Sequence, residues 1–350
     1  MFDHRRFASA TGAAPASAPG SASIAWIACV AIVLLLVAGC ADDAGAPGVT
    51  IVEEGVVSRT LLHIGGETVV PLQPERVATL GYLPTDTLVA MGLNPVAIDQ
   101  PSEQLADLPR ISDALAEAQS IGRLESPNLE ALVAAETQVI LVHSKFLTPR
   151  NFRRLSAIAP TVGLDARTPE DLLMQAGRAL AYEDEAEAAI EAYRQNVEAA
   201  REALSDVREQ GASVAFLRLR PRVVRLYSSN QGPGRLLYEE LGLTPGPGVP
   251  TEDDELWSNL SFEEIGRIQA DYIFLGVDPD AAGRESELRD HPLWTSLPAV
   301  EAGNVHPVPA ILWIAGDDAP IGSEAILADV VDALGSVDDH TTSRARRSQP

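Results

Sequence analysis

Between residues 186 and 207 the apolar positions Ala186, Ala189, Ile190, Tyr193, Val197, Ala200, Leu204 and Val207 recur at intervals of three and four, with Glu, Arg and Gln between them. That spacing puts one apolar stripe on one face of a helix, and Gly211 offers the positive-φ stop beyond it. At ~1.5 Å per residue the helix is about 33 Å long. A rod of that length either links two globular halves or lies as a surface helix on one of them.

Elsewhere the apolar residues fall in short unbroken blocks, at 77–80, 139–142, 214–217 and 272–275. Unbroken blocks predict strands covered on both faces, as in parallel sheets, where alternation would predict a half-exposed strand. The blocks also repeat. Asn128-Leu129-Glu130-Ala131-Leu132-Val133 leads into one, Leu260-Ser261-Phe262-Glu263-Glu264-Ile265 leads into another, and Glu130 and Glu263 sit 133 positions apart. Upstream, the blocks at 77–80 and 214–217 are each followed by a helical stretch ending in Gly and Pro, Gly92 to Pro95 and Gly242 to Pro245. Strand–helix–strand alternation in two copies, either side of the rod, predicts an α/β protein of two Rossmann-like lobes with mostly parallel sheets, joined by one long helix.

Composition agrees with two folded domains: 350 residues, 46% hydrophobic and 22% charged. A net charge of −24 argues against a nucleic-acid or polybasic membrane-surface role. Lys145 is the only lysine, so a concentrated positive site has to be built from arginine. Cys29 and Cys40, the only cysteines, leave no disulfide framework and no thiolate zinc site in the folded part.

The amino terminus reads as an address. Arg5 and Arg6 precede a charge-free apolar run over residues 24–38, about 22 Å as a helix and short of the ~30 Å membrane core, and the run closes on Leu36-Val37-Ala38-Gly39-Cys40. This resembles the bacterial lipoprotein processing box, which implies cleavage before Cys40 and a lipid on its thiol; an uncleaved signal anchor is the alternative. Arg5-Arg6-Phe7 leaves twin-arginine export open. The expected organisation is a signal peptide over 1–39, a flexible tether over 40–55, an N-terminal lobe over 56–180, the linking helix over 181–210, a C-terminal lobe over 211–335 and a disordered tail over 336–350.

In parallel sheets, ligands sit beyond the carboxyl ends of the strands. There the outstanding stretch runs from Phe216 to Tyr227. Arg218 and Arg220 share one strand face, Arg225 and Tyr227 share a face of the next run, and a turn at Pro221-Arg222 would bring the four together. Guanidinium groups suit an anionic, oxygen-rich ligand; a solvated face paired with nearby acids is the plain alternative. Tyr82 and Lys145 follow strands of the first half, and Trp313 follows one of the second, so these three are further candidate walls of a cleft. Asp253-Asp254 and Asp317-Asp318 are acidic pairs expected to be solvated on loops.

Several segments, in order, resemble the helical-backbone periplasmic-binding-protein family, the substrate-binding lipoproteins of ABC importers for ferric siderophores, cobalamin and haem. They are Gly65-Gly66, Pro74-Glu75-Arg76-Val77, Asp86 to Gly92, Pro127 to Glu130, Ile158 to Val162, Ser261-Phe262-Glu263, His291 to Trp294 and Ala299 to Val305. The resemblance implies a monomer anchored on the extracytoplasmic face of the cell membrane through Cys40. It implies capture of a ferric siderophore between the lobes and delivery to an ABC permease and its ATPase, with no cofactor and no directly bound metal. It further implies that Glu130 and Glu263 meet arginines of the permease; the plain alternative is that each favours its own helix N-terminus. Cobalamin or haem as cargo remains the alternative within the fold. A direct metal binder lacks a His-rich set, and an enzyme lacks GxSxG, HExxH, GxxxxGK[ST] and GxGxxG.

Overall fold

The computed structural model describes residues 48–251 and 255–335. The expected signal peptide, Cys40, Asp253-Asp254 and the tail over 336–350 lie outside the described residues. The chain opens on an antiparallel meander, β1 (Thr50–Glu54), β2 (Ser58–His63) and β3 (Gly66–Pro71). A tether reaching residue 55 is therefore corrected: Thr50–Glu54 is an edge strand. Leu61 and Val70 point into the N-lobe core, and Arg59 reaches Glu183 Oε1 (2.5 Å) and the Arg178 carbonyl (2.7 Å), tying the meander to the start of the long helix.

The first lobe is a five-stranded parallel sheet of β4 (Val77–Leu80), β5 (Ala97–Ile98), β6 (Gln119–Ser120), β7 (Val139–His143) and β8 (Thr161–Leu164), in the order β6-β5-β4-β7-β8. The second contains β9 (Ser213–Leu219), β10 (Val224–Tyr227), β11 (Thr244–Pro245), β12 (Trp257–Leu260), β13 (Tyr272–Val277) and β14 (Val305–Val308). Its order is β12-β10-β9-β13-β14, with β11 also on β9. β11, β13 and β14 continue a parallel core around β9, whereas β10 and β12 add an antiparallel edge. The internal repeat is visible in the pairing: β4 lies parallel to β7 as β9 does to β13. Both repeats end their helical stretch on a glycine of positive φ, Gly92 (76°) and Gly242 (68°), although the second stretch is a six-residue π-helical turn, Arg235–Glu240.

The long helix runs Glu183–Ala203, 21 residues, and stops at Leu204 instead of continuing to Val207; a separate short helix, Ser205–Glu209, carries Val207. Glu183, Asp184 and Glu185 fill its first turn and Arg201 its last, the arrangement that complements the helix dipole. The apolar stripe divides between two cores. Ala186 and Ile190 pack with Leu172, Leu173 and Ala176 of the first lobe, while Tyr193, Val197 and Ala200 pack with Phe216, Leu236 and Trp313 of the second. A helix buried at its two ends in different cores holds them at a fixed spacing.

A second brace is not a chain connection. The C-terminal helix, Pro320–Leu334, packs along the linking helix and buries Ile326, Leu327, Val330 and Leu334 in the second lobe, while Ile321 packs on Val89, Ile111 and Ala114 of the first. At its start the fully buried Asp86 accepts from Ile321 N (2.8 Å) and Gly322 N (2.9 Å). The first-lobe carboxylate thus satisfies two of the amide hydrogens that every helix start leaves unpaired. Leu105 adds to this by joining the second-lobe core, beside Gln104, whose Oε1 accepts from Ile311 N (2.7 Å).

Candidate functional site

The carboxyl ends of β4, β5 and β7 open onto a cavity of about 780 Å³ whose far wall comes from the second lobe. Gly81, at φ 98°, turns the chain from β4 directly into the helix Tyr82–Ala90, a conformation that a residue with a Cβ adopts only under strain. Its N–H donates to Asp99 Oδ1 (2.7 Å), just after β5. Tyr82 then presents its ring to the cavity while its hydroxyl donates to Asp86 Oδ2 (2.7 Å), so burial and this carboxylate raise its pKa. His143 ends β7 and Lys145 follows it in a short 3₁₀ turn. Burial, aided by Lys145, lowers His143 to about 4, which leaves a neutral imidazole in the cavity wall.

From the second lobe come Ile311, Ile314 and Ala315 of the helix Ala310–Ala315, followed by Asp317 and Asp318. That helix crosses β13 closely at Gly276, where an added Cβ would lie 3.0 Å from Ala310. Asp317 is 4% exposed, and burial together with the neighbouring Asp318 raises its pKa; Asp318 is raised by burial, against the pull of Arg235. Arg235 Nη2 donates to the Asp317 carbonyl (3.0 Å), lies 3.7 Å from Asp318 Oδ1, and through Nη1 also engages Glu240. The pair expected on a solvated loop is therefore part of the cavity wall, with Asp317 buried and Asp318 half-buried.

The sequence-derived candidates divide cleanly. Tyr82 and Lys145 line the cavity, and Arg218, Arg220, Arg225 and Tyr227 do not. The hairpin does bring those four together, since Arg218 lies opposite Arg225 across β9 and β10. Register also sets β13 beside β9, so that Asp278, one residue past β13, faces them. Asp278 binds Arg218 through two contacts (2.5 and 3.0 Å) and Arg220 through one (3.3 Å). Arg225 instead lies over the Trp257 ring, 3.8 Å from its centroid, and Tyr227 is core, packed on Phe216. Trp313 as a cleft wall is corrected: it is fully buried between Phe216 and Phe274, and its indole N–H donates to Asp329 (2.8 Å). Glu130 and Glu263 are exposed at the starts of short helical turns. Asn128 caps the first turn and Ser261 with Glu264 the second, while the Glu263 carboxyl is held low by its own N–H and the Ser261 hydroxyl.

Residues 77–312 match the periplasmic binding protein family. The chain belongs to that family. This periplasmic binding protein is a substrate-binding component of an ABC importer and not an enzyme. Among its relatives are a probable siderophore-binding lipoprotein of Bacillus subtilis, 25% identical over 73% of this chain and 82% of the relative, and the achromobactin-binding periplasmic protein of Dickeya dadantii, 29% identical over 75% and 87%. The crystal structure of Staphylococcus aureus SirA complexed with staphyloferrin B is similar at a TM-score of 0.66 and 25% identity, covering 79% of this chain and 98% of SirA. Asp99, Gln100, Ser102, Arg123 and Glu125 also line the cavity and escaped the sequence reading. Asp99 had a signal, since it directly follows the apolar pair of β5.

Proposed function

We propose that this protein is a monomeric, lipid-anchored receptor on the extracytoplasmic face of the cell membrane. It captures a ferric siderophore between its lobes and passes it to an ABC permease driven by an ATPase. The observation that carries the reading is the cavity of about 780 Å³, walled from both lobes and within the ~300–1,000 Å³ usual for small-molecule sites. The two braces across the lobes favour a largely prepared cleft, so that little binding energy goes into closure. The ligands named for the relatives support an iron chelate as cargo. Cys40 is the anchoring residue in this reading, and Glu130 and Glu263 are the contacts to the permease. Caps supplied by Asn128, Ser261 and Glu264 leave both glutamates in solvent, as a docking role requires.

A fluorescence titration against iron chelates, haem and cobalamin tests the cargo. Haem belongs in the panel because His143 supplies a neutral imidazole at the cavity. Saturable binding of a ferric chelate, weakened by Lys145→Ala, is the expected result; binding of haem or cobalamin alone replaces it. Exchanging Glu130 and Glu263 for arginine abolishes uptake at unchanged ligand affinity, and a fall in affinity removes the docking role.

A further inference from the structure

The cavity carries its own statement about ligand charge. Four carboxylates, Asp99, Glu125, Asp317 and Asp318, line it against two cations, Arg123 and Lys145. Arg123 lies 3.5 Å from Glu125, both well exposed, and Asp99 accepts from Gly81. The cations suited to a polyanion are tied elsewhere, Arg218 and Arg220 on Asp278 and Arg225 on Trp257. What remains in the second-lobe wall is the aspartate pair. Asp317 is 4% exposed, and no side chain among the described residues donates a hydrogen bond to its carboxylate. Arg235, the nearest guanidinium, is shared between Glu240 and Asp318. Its own N–H and Arg235 act on the Asp317 carboxylate, but a buried carboxylate without a counter-ion of its own is costly, and a cation brought to it recovers that cost.

We propose that Asp317 and Asp318 form an acceptor site for an ammonium arm of the chelate, so that the cargo is a ferric siderophore carrying a cationic amine and not a polyanion. This rests on the siderophore reading and goes beyond it by naming the ligand's chemistry and the residues that read it. Burial raises both carboxyl groups, which fits a site whose charge awaits a counter-ion.

The test uses probes that differ only at the amine. The protein is titrated with the iron(III) complex of desferrioxamine B, a trihydroxamate with one free ammonium, with the same complex acetylated on that amine, and with ferric citrate and a ferric tris-catecholate. The ammonium complex is expected to bind at least tenfold more tightly than its acetylated form, and Asp317→Asn and Asp318→Asn, each melting as a folded protein, are expected to erase that preference. Equal affinity for the two forms, a preference that survives both variants, or tighter binding of citrate or catecholate overturns the ammonium site while leaving the receptor reading in place. Binding of none of the ferric chelates overturns the receptor reading as well.

Discussion

The second lobe holds two concentrations of charge that fare oppositely on folding. The arginines of the β9–β10 hairpin are the more conspicuous in the sequence, yet the fold pairs Arg218 and Arg220 with the single carboxylate of Asp278 and lays Arg225 on Trp257. Asp317 and Asp318 look like an ordinary loop pair, yet the fold sets both in the cavity wall, Asp317 buried and Asp318 half-buried beside an Arg235 shared with Glu240. A buried carboxylate without a full counter-ion in a low-dielectric wall has more to offer a ligand than Arg218, which Asp278 already pairs through two contacts.

The largest way to break this contrast is to remove the carboxylate that pairs the arginines. Asp278→Ala strands Arg218, which is 8% exposed, and should cost about 3–5 kcal/mol in urea unfolding. A loss below about 1 kcal/mol would show that the hairpin arginines are not held by this carboxylate. Asp86→Asn is the next largest. An amide oxygen cannot serve both Ile321 N and Gly322 N as the carboxylate does, so about 2 kcal/mol of stability should be lost.

Acidity sharpens the comparison further. Burial raises Asp86 to about 6 and raises Asp317 as well. A carboxyl raised in the folded state favours the protonated form there, so its stabilising contribution is complete below about pH 4 and is lost as pH rises through about 6 for Asp86 and higher for Asp317. The melting temperature should therefore fall between pH 5 and pH 8, and Asp317→Asn should flatten that fall while leaving the melt at pH 4 unchanged. An identical slope in the variant would mean that Asp317 is not the titrating group. Smallest is Arg225→Ala, which removes the contact with Trp257 and should cost about 0.5–1 kcal/mol with unchanged affinity for a ferric chelate.

How far the sequence reached depended on the range of the interaction. The stripe on Glu183–Ala203 was legible because helical period is local, and its break at Leu204 was not, because nothing in the spacing marks it. The strands β4, β7, β9 and β13 were legible as unbroken apolar blocks, whereas the meander β1–β3 escaped, its start lying in what read as a tether. Tyr82 and Lys145 were found because both follow a strand of the first lobe directly. The same rule failed for Trp313, whose helix turns its large ring inward between Phe216 and Phe274.

The amino-acid order alone fixed the two-lobed α/β plan, the rod between the lobes and the paired glutamates at Glu130 and Glu263, since each is written in periodicity or repetition over a few tens of residues. Only the tertiary structure decided which charges meet. Asp278 lies 60 residues from Arg218, and Asp86 lies 235 from Ile321; these pairs are set by strand register and helix packing, which no local pattern encodes. A binding site depends on what folding leaves unpaired, so its chemistry appears only once every other partner has been assigned.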